Sequence, residues 1–232
     1  VINIKYKIDI SNQSANINIG DFTYKTLKDN IISWNLKPGT MMSEKEVSIA
    51  LNVSRTPVRE AFIKMSKEGL VDILPQRGTV VSKIDLNRVE EERFIRESLE
   101  LSVFKLAASN LPKETCLELE KNIEEQAECL NEEQHERFFQ LDEEFHKIIF
   151  SACAKELCWE VIQNVSGHYK RMRVMTLWNK KSPIEILDQH RALLDCIKNN
   201  DVQEAHEVLK RHLCKLKDEE LEMKQKYPEY FK

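Results

Sequence analysis

Four polar residues sit where helical periodicity calls for apolar ones, and together they have the donor types of a metal site. The stripe Phe138, Asp142, Phe145, Ile149 carries a carboxylate in its seam, and His146 follows Asp142 by four residues on nearly the same helix face. His190 lies on the stripe Ile186, His190, Leu193, Leu194, Ile197, and His212 on Ala205, Val208, Leu209, His212, Leu216. An ionised Asp facing a core is costly unless a charge satisfies it, and a divalent ion would do so. One oxygen and three nitrogens inside a helical bundle suit Zn, Ni, Co, Mn or Fe(II), without choosing among them. Taken singly, each histidine reads more simply as a hydrogen-bonded core residue; only the set points to a metal. Arg96 shares a face with Leu99 and Val103, where either a ligand carboxylate or a neighbouring Glu would be its partner. His168, on the stripe Val161, Val165, His168, Met172, Met175, reads as a ligand, a donor behind one, or core. His135 and His206 fall off their stripes and read as surface.

A second constellation lies nearer the N-terminus. Arg55 and Arg59 stand four apart at the start of a helix, the end that a recognition helix turns toward base edges, and Arg is the side chain best suited to guanine O6 and N7. Ser54 and Thr56 add short donors, Lys45 on the preceding helix suits a phosphate, and Arg77-Gly78 sits at a hairpin tip that would enter or straddle a minor groove. Two arginines alone would be an ordinary solvated face.

The elements that must position these residues follow from local signals. Phe22 to Leu36 reads as a first helix ended by Pro38-Gly39, and Ser43 with Glu46 is a capping box for a short second one. Ser54 opens a third helix that stops at Gly69, about three residues beyond the second, which is helix-turn-helix spacing. Two β-rich runs, Leu70 to Leu74 and Thr79 to Ile84, flank the Pro75–Gly78 turn as a wing. Beyond a connector at 85–88 the pattern is helical throughout, with helices expected near 87–110, 112–130, 134–153, 156–180, 183–199 and 202–225; Ser182-Pro183 with Glu185, and Asp201 with Glu204, are start signals.

The segment SEKEVSIALNVSRTPVREAFIKMSKEGLVDILPQRGTVVS, within residues 22–84, resembles the GntR family of winged-helix regulators. That resemblance assigns DNA contact to Lys45, Ser54, Arg55, Thr56, Arg59, Arg77 and Gly78; Lys45 stands where some members have Arg, so a phosphate contact is expected there in place of a bidentate one. Residues 89–220, through LDEEFHKII, ILDQHRALLDCIKNNDVQEA and LKRHL, resemble the FCD ligand-binding domain of the FadR subfamily. Metal-binding members place an Asp and three His in this order, matched here by Asp142, His146, His190 and His212, and an Arg matching Arg96 lies near the effector pocket.

Composition agrees with a two-domain regulator. The net charge of -4 is unevenly spread: residues 21–84 carry +3 and residues 1–20 carry +1, which leaves -8 beyond residue 84, so acid sits away from the DNA-reading segment. No apolar run approaches the roughly 20 residues of a membrane span, and the start lacks the order of a signal peptide, which points to the cytoplasm and to no membrane partner. The six cysteines form no CxxC pair and are expected to be free, mostly buried thiols.

The expected molecule is mainly α. It has a flexible arm (1–20), a winged helix-turn-helix of three helices and a hairpin (21–84), a linker (85–88) and an all-α antiparallel bundle (89–232) for effector binding and dimerisation. Its expected function is that of a homodimeric, non-enzymatic regulator, a repressor more often than an activator. It would bind double-stranded DNA at an inverted-repeat operator and respond to a small carboxylate held at a metal-containing pocket with Arg96 and His168. A purely structural metal and a metalloenzyme are the competing readings.

Overall fold

The computed structural model describes residues 6–10, 18–177 and 182–232. Its contacts form two compact units. One holds the chain up to Val89 together with Gly167–Arg171 and Lys224–Lys232; the other holds Glu90–Ser166 and Met172–Met223.

In the first unit, α1 (Ile19–Ile32) begins earlier than the apolar pattern suggests, because the Asn18 side chain accepts the Asp21 N–H and Gly20 is carried inside the helix. It also ends earlier, where Trp34 takes a positive φ of 68°. Of the expected arm, residues 1–5 and 11–17 lie outside the described residues. Residues 6–10 are tied down: the Asp9 N–H donates to Asn30 Oδ1 at 2.7 Å and Asn30 Nδ2 donates to the Asp9 carbonyl at 2.8 Å. Helix α2 (Glu44–Ala50) starts with the complete Ser43/Glu46 capping box. Helix α3 (Arg55–Lys67) packs on α1 and ends in a Schellman motif, with Leu70 N–H bonded to Met65 O and Gly69 N–H to Ser66 O, Gly69 supplying a φ of 75°. Leu27, Ile31, Val47, Val58, Phe62 and Met65 form the buried face between these helices, each such side chain contributing about 1.5–3 kcal/mol by leaving water.

The wing is a three-stranded antiparallel sheet in the order β1-β3-β2, built from β1 (Met41–Met42), β2 (Val71–Leu74) and β3 (Gly78–Val81). Strand β1 pairs Met41 with Val80 and Met42 with Thr79; two residues are too few to show any alternation in sequence. Past β3, Ile84 exchanges backbone hydrogen bonds with the C-terminal tail, to Tyr230 O at 2.8 Å and from Lys232 N at 2.9 Å. The edge of Tyr230 meets Trp34 beside it.

The second unit is helical: α4 (Leu86–Ser109, from Glu90 on), α5 (Lys113–Asn131), α6 (His135–Ala152), α7 (Glu156–Val165), α8 (Gly167–Thr176, from Met172 on), α9 (Ser182–Lys198), α10 (Val202–Cys214) and α11 (Leu216–Lys226, up to Met223). Helix α5 packs on α6 and α9, and α9 on α10, around Phe104, Leu119, Phe145, Ile149, Leu193 and Leu209. Asp201 caps α10 by accepting the Glu204 N–H.

Two expected helices are each divided. The span 156–180 breaks at Ser166, whose hydroxyl turns back onto the Ile162 carbonyl, and its last residues, 178–180, lie outside the described residues. The span 202–225 divides at Lys215, which lies between α10 and α11, keeps helical dihedrals (φ -51°, ψ -37°) and donates to the Arg211 carbonyl at 3.1 Å. All six thiols are free, but only Cys129 and Cys196 are buried and the other four are half-buried. Among the described residues no helix is long and apolar enough to cross a membrane.

Candidate metal centre and nucleic-acid interface

Asp142 and His146 project from successive turns of α6, His190 from α9 and His212 from α10. One donor atom from each lies within 4.8 Å of all the others. His146 Nε2 and His212 Nε2 are 3.3 Å apart, and His190 Nε2 is 3.6 Å from Asp142 Oδ1.

The residues behind the imidazoles settle which nitrogens face this centre. His190 Nδ1 lies 2.8 Å from Gln126 Oε1, and that amide is oriented in turn, because Gln126 Nε2 donates to Asn122 Oδ1 and Asn122 Nδ2 donates to the Leu141 carbonyl. His212 Nδ1 faces Gln189 Oε1 at 2.9 Å. His146 Nδ1 is 2.8 Å from Glu100 Oε2, close enough for a strong contact although off the ideal hydrogen-bond line. For His190 and His212 the Nδ1 meets an amide oxygen and therefore carries the proton, so each of these rings turns its Nε2 lone pair inward. Burial, aided by the neighbouring histidines, holds His212 well below the usual imidazole range. Burial likewise lowers His190 to about 3, so neither ring takes an extra proton near neutrality. Asp142 remains a carboxylate: burial pushes its pKa up, but the charged guanidinium groups, Arg173 first and Arg96 after it, outweigh burial and hold it low.

Asp142 Oδ1 and His190 Nε2 have no hydrogen-bond partner among the described residues, and unsatisfied buried polar atoms of this kind are rare. Two facing lone pairs and an orphaned carboxylate oxygen repel one another unless a cation lies among them. Separations of 3.3 and 3.6 Å also match the edges of a coordination shell with bonds of roughly 2.0–2.2 Å. The four residues therefore fit a divalent transition ion.

Beside the cluster runs a buried ion-pair network. Arg96 donates from Nε to Glu100 Oε1 at 2.5 Å and from Nη1 to Glu143 Oε1 at 2.8 Å. Arg173 donates to the same Glu143 Oε1 at 2.5 Å and to Asp142 Oδ2, and Gln163 Nε2 donates to Glu143 Oε2. Arg96 thus has the neighbouring Glu as a partner while standing beside the metal-type cluster.

His168 is placed elsewhere. The sequence stripe that carried it is interrupted by the Ser166 break, and its contacts lie in the first unit: Nδ1 faces the Asp85 N–H at 3.1 Å and Arg171 Nη2 at 3.0 Å, while Nε2 lies 3.1 Å from the Gly69 carbonyl. Two donors on Nδ1 place the ring proton on Nε2, and burial, with Arg171 nearby, lowers its pKa to about 3. Its role here is to join the end of α3 to the segment after the wing. Gly167 beside it packs so closely that an added Cβ would lie 2.7 Å from Leu70 Cδ2.

On the other surface in question, Lys45, Ser54, Arg55, Thr56 and Arg59 are all exposed along α2 and the start of α3, and Arg77 is exposed at the wing tip. Ser54 occupies the N-cap position of α3, yet its hydroxyl caps no backbone N–H. Arg59 is clasped in two places by Glu44, from Nε at 2.7 Å and Nη2 at 2.8 Å. That pair is solvent-screened and costs little to surrender. Gly78 has a structural reason for its identity: its φ is 112°, and a Cβ there would lie 2.7 Å from the Met42 carbonyl.

Residues 20–81 match the family model described as bacterial regulatory proteins of the gntR family, and residues 93–214 match the FCD domain. The HTH-type transcriptional repressor RspR of Escherichia coli (strain K12) is 34% identical over 208 residues, covering 90% of this chain and 91% of its own. This chain belongs to the GntR family. The regulator is also 27% identical to the gluconate operon transcriptional repressor of Bacillus subtilis (strain 168), over 75% of this chain and 74% of that one. Among solved structures, Escherichia coli McbR/YncC matches with a TM-score of 0.75 at 20% identity, covering 88% of this chain and 100% of that one, which shows a shared fold. The regulator is a DNA-binding transcription factor with an FCD domain.

Sequence reasoning missed the residues that orient the cluster. Glu100 and Gln126 had a legible signal, each a polar residue continuing a buried stripe: Arg96, Glu100, Val103 on α4 and Leu119, Ile123, Gln126 on α5. Arg173 and Gln189 had none, since both are only half-buried and look like ordinary helix-surface residues.

Proposed function

We propose that this regulator is a cytoplasmic, homodimeric repressor of the FadR subfamily whose operator affinity is set by a small carboxylate at a metal-containing pocket in the FCD domain. The convergence of Asp142 Oδ1 with the three inward-facing Nε2 atoms carries this reading. Asp142, His146, His190 and His212 would hold the ion, which when bound supplies positive charge and open coordination positions. The remaining work belongs to the protein's own side chains. Glu100, Gln126 and Gln189 hold the imidazoles in one tautomer, and Arg96 supplies a fixed cation for the effector's carboxylate. Lys45, Ser54, Arg55, Thr56, Arg59, Arg77 and Gly78 form the proposed DNA face, with base reading by the arginines of α3 and phosphate contact by Lys45 and the first turn of α3. Two such faces reading an inverted repeat require a dimer. Phe94 on α4, 64% exposed beside Ile95, supports placing the dimer contact in the FCD unit. A repressor role draws on RspR and the gluconate operon repressor, which are named as repressors.

A thermal-shift screen of small carboxylates, run with and without chelator beside elemental analysis, tests the reading. Stabilisation that chelation abolishes supports metal-assisted sensing. A bound metal with no response to any acid reduces the metal to a structural role, and turnover of an acid would return the metalloenzyme to consideration.

A further inference from the structure

We propose that Arg96 and Arg173 form an anion-binding pair whose resident anion is the protein's own Glu143, and that the effector's carboxylate takes over the place Glu143 holds. This rests on the carboxylate-sensing reading and names the residue the effector must displace. One oxygen, Glu143 Oε1, accepts from both guanidinium groups, from Arg96 Nη1 at 2.8 Å and Arg173 Nη1 at 2.5 Å. Each arginine keeps a second carboxylate that would hold it in place without Glu143. Arg96 is fixed through Nε by Glu100, both side chains having no exposed surface, and Arg173 by Asp142 Oδ2. The pair is thus preorganised for an anion whether or not Glu143 supplies it.

Glu143 and Arg173 are the partly exposed members of the ion-pair network. The side chains of Glu143 and Arg173 are 13% and 12% exposed, while those of Arg96, Glu100, His146 and His190 are at 0%. Glu100 faces His146 and Asp142 faces His190, whereas Glu143 bridges the two arginines and accepts from Gln163. Charge points the same way. Among these five side chains, once Glu143 swings out to water Arg96 and Arg173 balance Glu100 and Asp142, so a divalent cation in the cluster would leave positive charge for an incoming carboxylate. A resident anion that occupies its site most of the time reduces the apparent affinity of its competitor by the fraction of time the site is open.

The test uses the full chain, with metal content recorded, and acetate as the probe. Isothermal titration compares wild type with Glu143→Ala and Glu143→Gln. The proposal expects acetate to bind Glu143→Ala about tenfold tighter than wild type, and to raise that variant's melting temperature more than chloride at equal ionic strength does. Glu143→Gln, which keeps the shape and drops the charge, should move the same way and carries the test if the alanine variant does not fold. Adding Arg173→Met to either variant should abolish the gain. Acetate affinity equal to or weaker than wild type in both variants overturns the proposal, even where wild type responds to other carboxylates, an outcome that leaves the sensing reading intact. Acetate binding by the variants, with no carboxylate response from wild type, supports the resident anion and removes the sensing reading.

Discussion

At the scale of single residues, the chemistry depends on where protons sit. Gln126 accepts from His190 Nδ1 because its own amide is turned by Asn122, so the tautomer of one cluster histidine is set two side chains away. Gln126→Met should let the ring place its proton on Nε2 and lower metal affinity about 10- to 100-fold, as losses of such outer partners do, measured by competition with a chromogenic chelator. His168 tests a different proton. Its folded pKa of about 3 lies below the usual imidazole value of 6.5, so the folded state stays neutral where the unfolded chain takes up a proton. The stability it contributes is whole above about pH 6.5 and is lost as pH falls toward 3. His168→Gln should flatten the pH dependence of the unfolding free energy in that window by ~1.4 kcal/mol per pH unit. An unchanged slope in urea titrations would mean that the ring is already protonated in the fold.

At the scale of elements, the start of α3 and the tip of the wing each present exposed donors. Arg59 is held by Glu44 across the helix-turn-helix, an arrangement invisible to a periodicity argument because the two residues are fifteen apart. Arg59→Ala should weaken binding to a selected operator about tenfold to a hundredfold if it reads a base. Lys45→Ala should weaken all sequences alike and reduce the salt slope of binding by about one. Fluorescence anisotropy over a salt series separates the two, and equal slopes for wild type and Lys45→Ala would remove Lys45 from the phosphate contacts. Gly78 could not be substituted without strain, because of its positive φ and the nearby Met42 carbonyl, so Arg77 is the wing-tip residue to test for contact.

At the scale of the whole molecule, the two units have separate reasons to be stable. The first rests on an apolar core among α1, α2 and α3; the second surrounds a polar cluster whose repulsions a cation would relieve. Chelation should therefore lower the melting temperature and abolish stabilisation by carboxylates while specific DNA binding persists, read by differential scanning fluorimetry beside a gel shift. Early melting on chelation, in a protein that never responded to acids, is the signature of a purely structural metal. Phe94→Asp should convert a dimer into monomers in light scattering; a mass unchanged by the substitution would move the interface off α4.

The winged helix-turn-helix, the helical bundle and the four converging donors were all legible in the sequence, because each is written in local periodicity, caps and residue type. That the four donors face inward needed no contact information beyond the rule that an Asp or His on an apolar stripe does so. What the sequence could not contain was the pairing between distant segments. Arg173 sharing Glu143 with Arg96, Gln126 orienting His190, β1 completing the wing and Gly167–Arg171 grouping with the first unit all join residues far apart in the chain. His168 shows the same limit: periodicity shows that its side chain is buried, but only the tertiary fold decides against what, here Gly69, Asp85 and Arg171.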